Sequence, residues 1–330
     1  MNKGVPARMI AVLVALVLST GLVKAEAIKL LVTSMSPPAS EHSQQFNEWA
    51  RRVDAASQGT LALEIRDGSA VANFGNIFDR LNSDVVQIGW IAEANIGGRF
   101  PLSEVVGLPF LAGSAESGAV GFWRLYKSGL IDSEYKDIVP LWVFAGTPNT
   151  FHFVKEPKNL NDLKGLKIQV FAKTLGDFVQ NMGGTPISLL VTQAYESLQR
   201  GVVDATLIGW SNPFRLDEVT SFHLEGPFGV SPHVIAMTRT KFEALPQAAR
   251  EALLNNSGEA QSRKFGAYLD RFAGEQRNPN MASPKHKVVR LPESAAAQWR
   301  KSAELVTTAW VNGDPARQKV LDTYRSFLPN

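Results

Sequence analysis

The chain has no cysteine. That absence removes disulfides, thiolate metal sites, a cysteine nucleophile and iron–sulfur ligation together. It also removes the acylated cysteine of a lipoprotein anchor. Long apolar runs are missing too, apart from one at the extreme N-terminus, so a polytopic membrane protein is excluded. Charge of one sign is barely in excess: 34 Lys and Arg stand against 31 Asp and Glu. Lys3, Arg8 and Lys24 make up that surplus, and all lie in residues 1–25, which hold no acid. Without that segment the two signs balance, and a nucleic-acid partner would need a clustered basic excess. Phosphate loops, His-Glu-x-x-His, EF-hand loops and Gly-x-Ser-x-Gly are absent. Gly113-Ser114-Ala115-Glu116-Ser117-Gly118 has the composition of a nucleophile elbow but not its spacing. The five histidines, His42, His152, His223, His233 and His286, show no metal-ligand spacing on one helix. They are expected at the surface or at lobe edges. The expectation is therefore no enzyme, no cofactor and no metal.

What is present begins with Lys3 and Arg8 ahead of an apolar stretch, 9–22, shorter than the ~20 residues a bilayer span needs. Val23-Lys24-Ala25 and Ala25-Glu26-Ala27 then read as small-x-Ala cleavage sites. Residues 1–25 are assigned as a signal peptide cut near Ala25 or Ala27. A secreted chain without cysteine or lipid anchor fits a bacterial periplasm.

The mature chain opens on an apolar strand, 27–33. Ser40 then caps a helix in which Phe46, Trp49, Val53 and Ala56 repeat at steps of three and four. A strand at 61–65, a helix at 74–81 and a strand at 84–90 continue the grammar of parallel crossovers. The segment 115–127 suits a helix and 139–145 a strand, with a turn at 146–149. The pattern restarts with strands at 166–171, 186–190 and 203–210, separated by helices at 174–182 and 192–200. A strand at 234–238 precedes a mostly helical stretch, 241–275, with Gly258 inside it. A strand at 286–291 leads into an amphipathic helix at 292–311, with Trp299, Ala303, Val306 and Trp310 on one stripe. Asp314 and Pro315 start a last helix.

Leu163-Lys164-Gly165-Leu166-Lys167-Ile168, Gly184-Thr185-Pro186-Ile187 and Tyr195-Glu196-Ser197-Leu198-Gln199-Arg200-Gly201-Val202-Val203-Asp204 resemble motifs of the solute-binding proteins of tripartite ATP-independent periplasmic (TRAP) transporters, the DctP type. Ser57-Gln58-Gly59 and Leu108-Pro109-Phe110-Leu111 extend the resemblance over nearly all of the mature chain. It implies an α/β, two-lobe periplasmic-binding-protein-like clamp with a long bridging helix. Lobe I is expected at 26–147 and 236–278, lobe II at 148–235 and 279–330. The clamp closes on a small solute, which shifts its population toward the closed form. It then docks on TRAP membrane permease subunits, and the working unit is expected to be a monomer. The alternative is a periplasmic sensor on the same clamp, feeding a signalling partner.

The sequence departs from that family at one informative place. The strand after Leu-Lys-Gly-Leu-Lys-Ile usually continues with an Arg that grips the solute carboxylate through a bidentate pair. Here the residue is Gln169, which has neither charge nor fork. A second Arg of some members would fall near Pro148 or Asn149 and is missing. Either Arg99, Lys155 or Arg215 replaces the lost charge, or the ligand's key group is not a carboxylate. Trp90, Phe171 and Trp210, at strand ends, would suit a neutral or cationic solute, since an aromatic face attracts an ammonium by roughly 0.5–2 kcal/mol. Glu93 would supply an opposing charge. Gly209, Asn149 and His152 complete the candidate ligand set.

Overall fold

The computed structural model describes residues 26–160, 162–212 and 215–329. The expected signal peptide, 1–25, lies outside the described residues.

The first lobe is built on β1 (Ile28–Thr33) and β2 (Leu61–Arg66), which pair in parallel from Ile28↔Leu61 to Thr33↔Arg66. The crossover between them is α1 (Glu41–Ala56). Its first turn is closed by Ser40, whose hydroxyl accepts the Ser43 N–H. Gly59, at φ +86°, supplies the left-handed residue that returns the chain to β2. After α2 (Ile77–Asn82) the chain enters β3 (Gly89–Ala92), and Ile88 bridges in parallel to Val32. β3 and β4 (Ile138–Ala145) flank β10 (Pro232–Thr238), each antiparallel to it. Phe46, Trp49, Trp90, Trp142, Phe144 and Phe265 fill this lobe's core. α3 (Ala115–Lys127) lies against β4, with Gly118 so close to Ala145 that a Cβ there would stand 2.8 Å from it. The small residues that mimic a nucleophile elbow are thus a helix start: Ser114 caps it by accepting from Ser117 N.

The second lobe is a six-stranded mixed sheet. Its strands are β5 (Asn149–Phe153), β6 (Lys167–Val170), β7 (Thr185–Ser188), β8 (Ala205–Gly209), β9 (Phe222–Glu225) and β11 (Lys287–Arg290), in the order β11-β9-β5-β8-β6-β7. Phe151, Ile168, Leu207 and Leu224 belong to one core with Phe178 of α4 (Lys173–Asn181) and Trp299 of α9 (Glu293–Val311). Ile208 joins Ala194 and Leu198 of α5 (Ala194–Gln199) in a smaller cluster.

Two features differ from expectation, and one expected helical stretch is subdivided. β5 and β9 were not anticipated. Both are short and carry Asn, His or Glu among their apolar residues, and they are strands because they pair with each other and with distant β8 and β11. The stretch 241–275 is mostly helical, as expected, but not as one run. It divides into α6 (Arg239–Glu243), α7 (Gln247–Asn255) and α8 (Gly258–Ala282), because Pro246 and Gly258, the latter at φ +69°, interrupt the hydrogen-bond ladder. β10 enters the first sheet at Pro232, before the expected boundary at 235–236, and α10 (Pro315–Phe327) packs on α3 through Tyr324 and Gly121.

Three segments cross between the lobes. Two of them, after β4 and before β10, are hydrogen-bonded side by side: Gly146 N–H to Ser231 O at 2.9 Å and Asn149 N–H to Gly229 O at 2.8 Å. The third is α8, about 37 Å long at 1.5 Å per residue. On the first lobe, Ser262 Oγ accepts Val143 N–H (3.1 Å) and Asp270 accepts the N–H groups of Ala115 and Glu116 (2.8 and 3.0 Å). On the second, Arg277 forks onto Glu225. The expected bridging helix is present.

Candidate functional site: a pocket between the lobes

The ends of β3, β4, β6 and β8 converge on a pocket of about 800 Å³, counting its open mouth. Phe74, Trp90 and Phe144 wall it on the first lobe; Phe171, Val191 and Ile208 wall it on the second. Among the described residues no Asp, Glu, Lys or Arg lines it.

The polar groups in the pocket are neutral, and their hydrogen-bond senses follow from their partners. The Trp90 indole N–H, a donor only, reaches His233 Nδ1 at 3.1 Å. The His233 proton therefore sits on Nε2, which donates to Ser231 Oγ at 2.9 Å. That leaves the Ser231 hydroxyl proton for another acceptor. His42 Nδ1 lies 2.7 Å from the Tyr268 hydroxyl. The Ser211 backbone, on the second lobe, lies close enough to His42 to offset part of the effect of burial on the ring. Burial lowers His42 to about 4 and His233 to about 3, so both rings are uncharged near neutrality. Asn212 Nδ2 donates to Gly209 O at 3.0 Å, which leaves its Oδ1 available.

The sequence-derived candidates fall into three groups. Trp90 and Phe171 line the pocket. Glu93 stands beside it, in a smaller chamber that shares Ala94, Phe171 and Pro232 with it. The others are placed elsewhere. Gln169 is buried one side-chain step behind Phe171, with its Nε2 turned onto Leu190 O (2.8 Å) and more weakly onto Leu189 O (3.4 Å). Gly209 is where β8 crowds the hinge: a Cβ would come within 2.4 Å of Thr147 Oγ1. Asn149 is buried at the start of β5, its amide toward Phe228 O at 3.4 Å. Trp210 faces the groove under α8, its N–H on Glu225 at 3.1 Å. His152 is buried inside the second sheet.

There His152 belongs to a polar row that strand register creates. His223, His152, Thr206 and Gln169 are successive cross-strand partners on β9, β5, β8 and β6. His152 Nε2 donates to Ile208 O at 3.1 Å, so its Nδ1 accepts from His223 Nδ1 at 2.8 Å. His223 Nε2 in turn accepts from His286 Nδ1 at 3.1 Å. Burial holds His152 down to about 4 and His223, with help from its neighbouring rings, to about 2. The surface or lobe-edge placement expected for the histidines is corrected for His152 and His223. Both are buried inside the second sheet because each finds a ring or carbonyl partner that only the fold brings near. His42, though buried, lies at the lobe edge in the pocket wall.

Arg99 pairs with Asp137, Arg215 with Glu218, and Lys155 lines a separate groove. None of the three reaches the pocket. Sequence reasoning missed His42, His233, Phe74 and Phe144. Phe144, at the end of a strand already recognised, was the one with a local signal.

A family model for bacterial extracellular solute-binding protein, family 7 (DctP), matches residues 32–312. The outer membrane transporter protein TsaT of Comamonas testosteroni is 22% identical over 312 residues, 90% of each chain. A marine-metagenome TRAP solute-binding protein specific for aromatic acids, solved with 3-hydroxybenzoate, superposes with a TM-score of 0.84 at 23% identity, covering 92% of this chain and 98% of that one. A TRAP protein of Bordetella bronchiseptica with bound mandelate gives 0.82 at 23% identity, over 91% and 98%.

Proposed function

Because the chain belongs to the DctP family of bacterial extracellular solute-binding proteins, we propose that it captures a small solute with a flat, apolar body and delivers it to TRAP permease subunits. The observation that carries this reading is the ring-walled pocket without a charged side chain. Structural relatives hold 3-hydroxybenzoate, benzoate and mandelate, which supports an aromatic body. A carboxylate is another matter. Gln169 stands where the family's Arg would fork onto it, and its amide is occupied by the Leu190 carbonyl. Burying an unpaired carboxylate among neutral groups is costly, so the polar end of the solute is an amine, amide or hydroxyl. The signalling alternative gains no support from the relatives, which are transport proteins.

The protein acts in the periplasm as a monomer after removal of residues 1–25. Among the described residues no helix is long and apolar enough to cross a membrane. Edman sequencing of the exported chain is expected to start near Glu26 or Ile28. The ligand reading is tested by a thermal-shift screen of aromatic amines, amides, alcohols and acids. A ligand present at 100 times its Kd adds about 2.7 kcal/mol to stability. Largest shifts from carboxylates would overturn the non-carboxylate assignment. No shift from any aromatic compound would overturn the aromatic body.

A further inference from the structure

The solute pocket does not end at Phe171. The adjoining chamber, about 420 Å³ counting its opening, carries Glu93 in its wall. Glu93 is 4% exposed. Its Oε1 lies 2.5 Å from the Tyr135 hydroxyl, which lies 2.8 Å from Ser103 Oγ. Ser103 Oγ donates to Glu134 Oε2 at 2.5 Å, and Glu134 also accepts the N–H groups of Leu102 and Ser103. The Tyr135 hydroxyl donates to Glu93 Oε1 and the Ser103 hydroxyl to Glu134 Oε2, so each carboxyl is held by one hydroxyl. Burial raises the Glu93 carboxyl well above the ordinary range, against the pull of the Tyr135 hydrogen bond. Its second oxygen, Oε2, is buried and has no hydrogen-bond partner. A buried acceptor left unmade is costly, and this one stands in a chamber wall.

Resting on the receptor reading above, we propose that this chamber is a subsite for a positively charged nitrogen on the solute, with Glu93 as its acceptor and the aromatic pocket holding the rest of the molecule. Glu104 lines the same chamber, while Lys173, also in its wall, is turned onto Asp177 at 2.5 Å. An ammonium gives Oε2 the hydrogen bond it lacks. Its charge favours the ionised carboxyl, so the Glu93 proton leaves for solvent and the carboxylate accepts from both the ammonium and Tyr135. The titratable groups facing this centre are Tyr135 and Glu134 ahead of β4, Glu104 in the turn Ser103–Gly107 and Lys173 at the start of α4. Phe171 between the two cavities offers its face to the cation.

The test is titration calorimetry near pH 7 with 2-phenylethylamine, 2-phenylethanol and phenylacetate, each in two buffers of different ionisation enthalpy. The amine is expected to bind about tenfold or more tighter than the alcohol and to release about one proton per protein. Glu93→Gln is expected to remove the release and bring the amine down to the level of the alcohol. Should that variant fail to fold, proton release by the wild-type protein decides alone. An amine no tighter than the alcohol, or bound without proton release, overturns the subsite. Tighter phenylacetate also overturns it while leaving a solute receptor. If none of the three binds, the subsite is again overturned, and the receptor reading is judged separately by the wider screen.

Discussion

Ring packing fills both lobes, with Phe151, Phe178, Phe228 and Trp299 in mutual contact in the second, but the second lobe also carries a buried polar row on one sheet face. In the first, rings pack on rings: Trp142 touches Phe46, Trp49, Phe144 and Phe265 at centroid distances of 5.1 to 6.0 Å. In the second, one sheet face carries His223, His152, Thr206 and Gln169 in adjacent register. Aromatic packing is additive and indifferent to proton concentration. A hydrogen-bonded row is conditional, since every member needs its partner in the right protonation state. The cleft inherits both characters, with ring walls and neutral hydrogen-bonding groups whose protons are already assigned.

Acid is the strongest way to separate the lobes. His152 and His223 fall from 6.5 to about 4 and about 2 in the folded protein. The unfolded chain therefore binds protons that the native one refuses. Their stabilisation is complete above pH 6.5 and is lost as pH falls toward the folded values, by about 1.4 kcal/mol per pH unit for each ring. Urea unfolding is expected to show a steep loss of stability between pH 6.5 and 4. His42 and His233 add to the same slope from the cleft. His223→Gln, which keeps a donor and an acceptor without titrating, should flatten it by about one ring's worth. An unchanged slope would mean that the buried row does not govern acid unfolding.

Trp142→Ala attacks the other lobe. Trp142 is fully buried, and its truncation is expected to cost about 3–5 kcal/mol, with no change in the pH slope. A loss below about 1 kcal/mol would show that the ring cluster relaxes freely.

Gln169→Leu returns to the second lobe with a smaller expected effect. It strips the Leu190 carbonyl of its donor and removes an Oε1 that is already buried without a partner. The net cost should be about 1–2 kcal/mol. Chemical denaturation measures it, and a gain in stability would mean the orphaned Oε1 outweighs the hydrogen bond. Glu93→Gln is the mildest change and has the opposite pH sense to the histidines. A carboxyl whose folded value is raised loses stability as pH climbs from its unfolded value toward the folded one. Gln cannot ionise, so the variant's stability relative to wild type should improve from pH 5 to pH 8. A constant difference across that range would show that Glu93 does not resist ionisation.

Much of this architecture was legible in the residues. Apolar periodicity located α1 and α9 with their inward faces, and Ser40 and Asp314 marked helix starts that the fold retains. Those signals are local, set by side chains three or four positions apart. The motifs around 163–204 led to the clamp, and strand-end position led to Trp90 and Phe171 as pocket walls. What local pattern could not carry was pairing. β5 and β9 are strands because of distant partners. Gln169 and Trp210 were assigned to the ligand, yet Gln169 turns to a carbonyl 21 residues on and Trp210 to Glu225 on β9 of its own lobe, under α8. The hydrogen bonds that set proton positions in the pocket join Trp90 to His233 and His42 to Tyr268, 143 and 226 positions apart. A histidine's charge and tautomer depend on what it faces, and only the folded chain decides which residues those are.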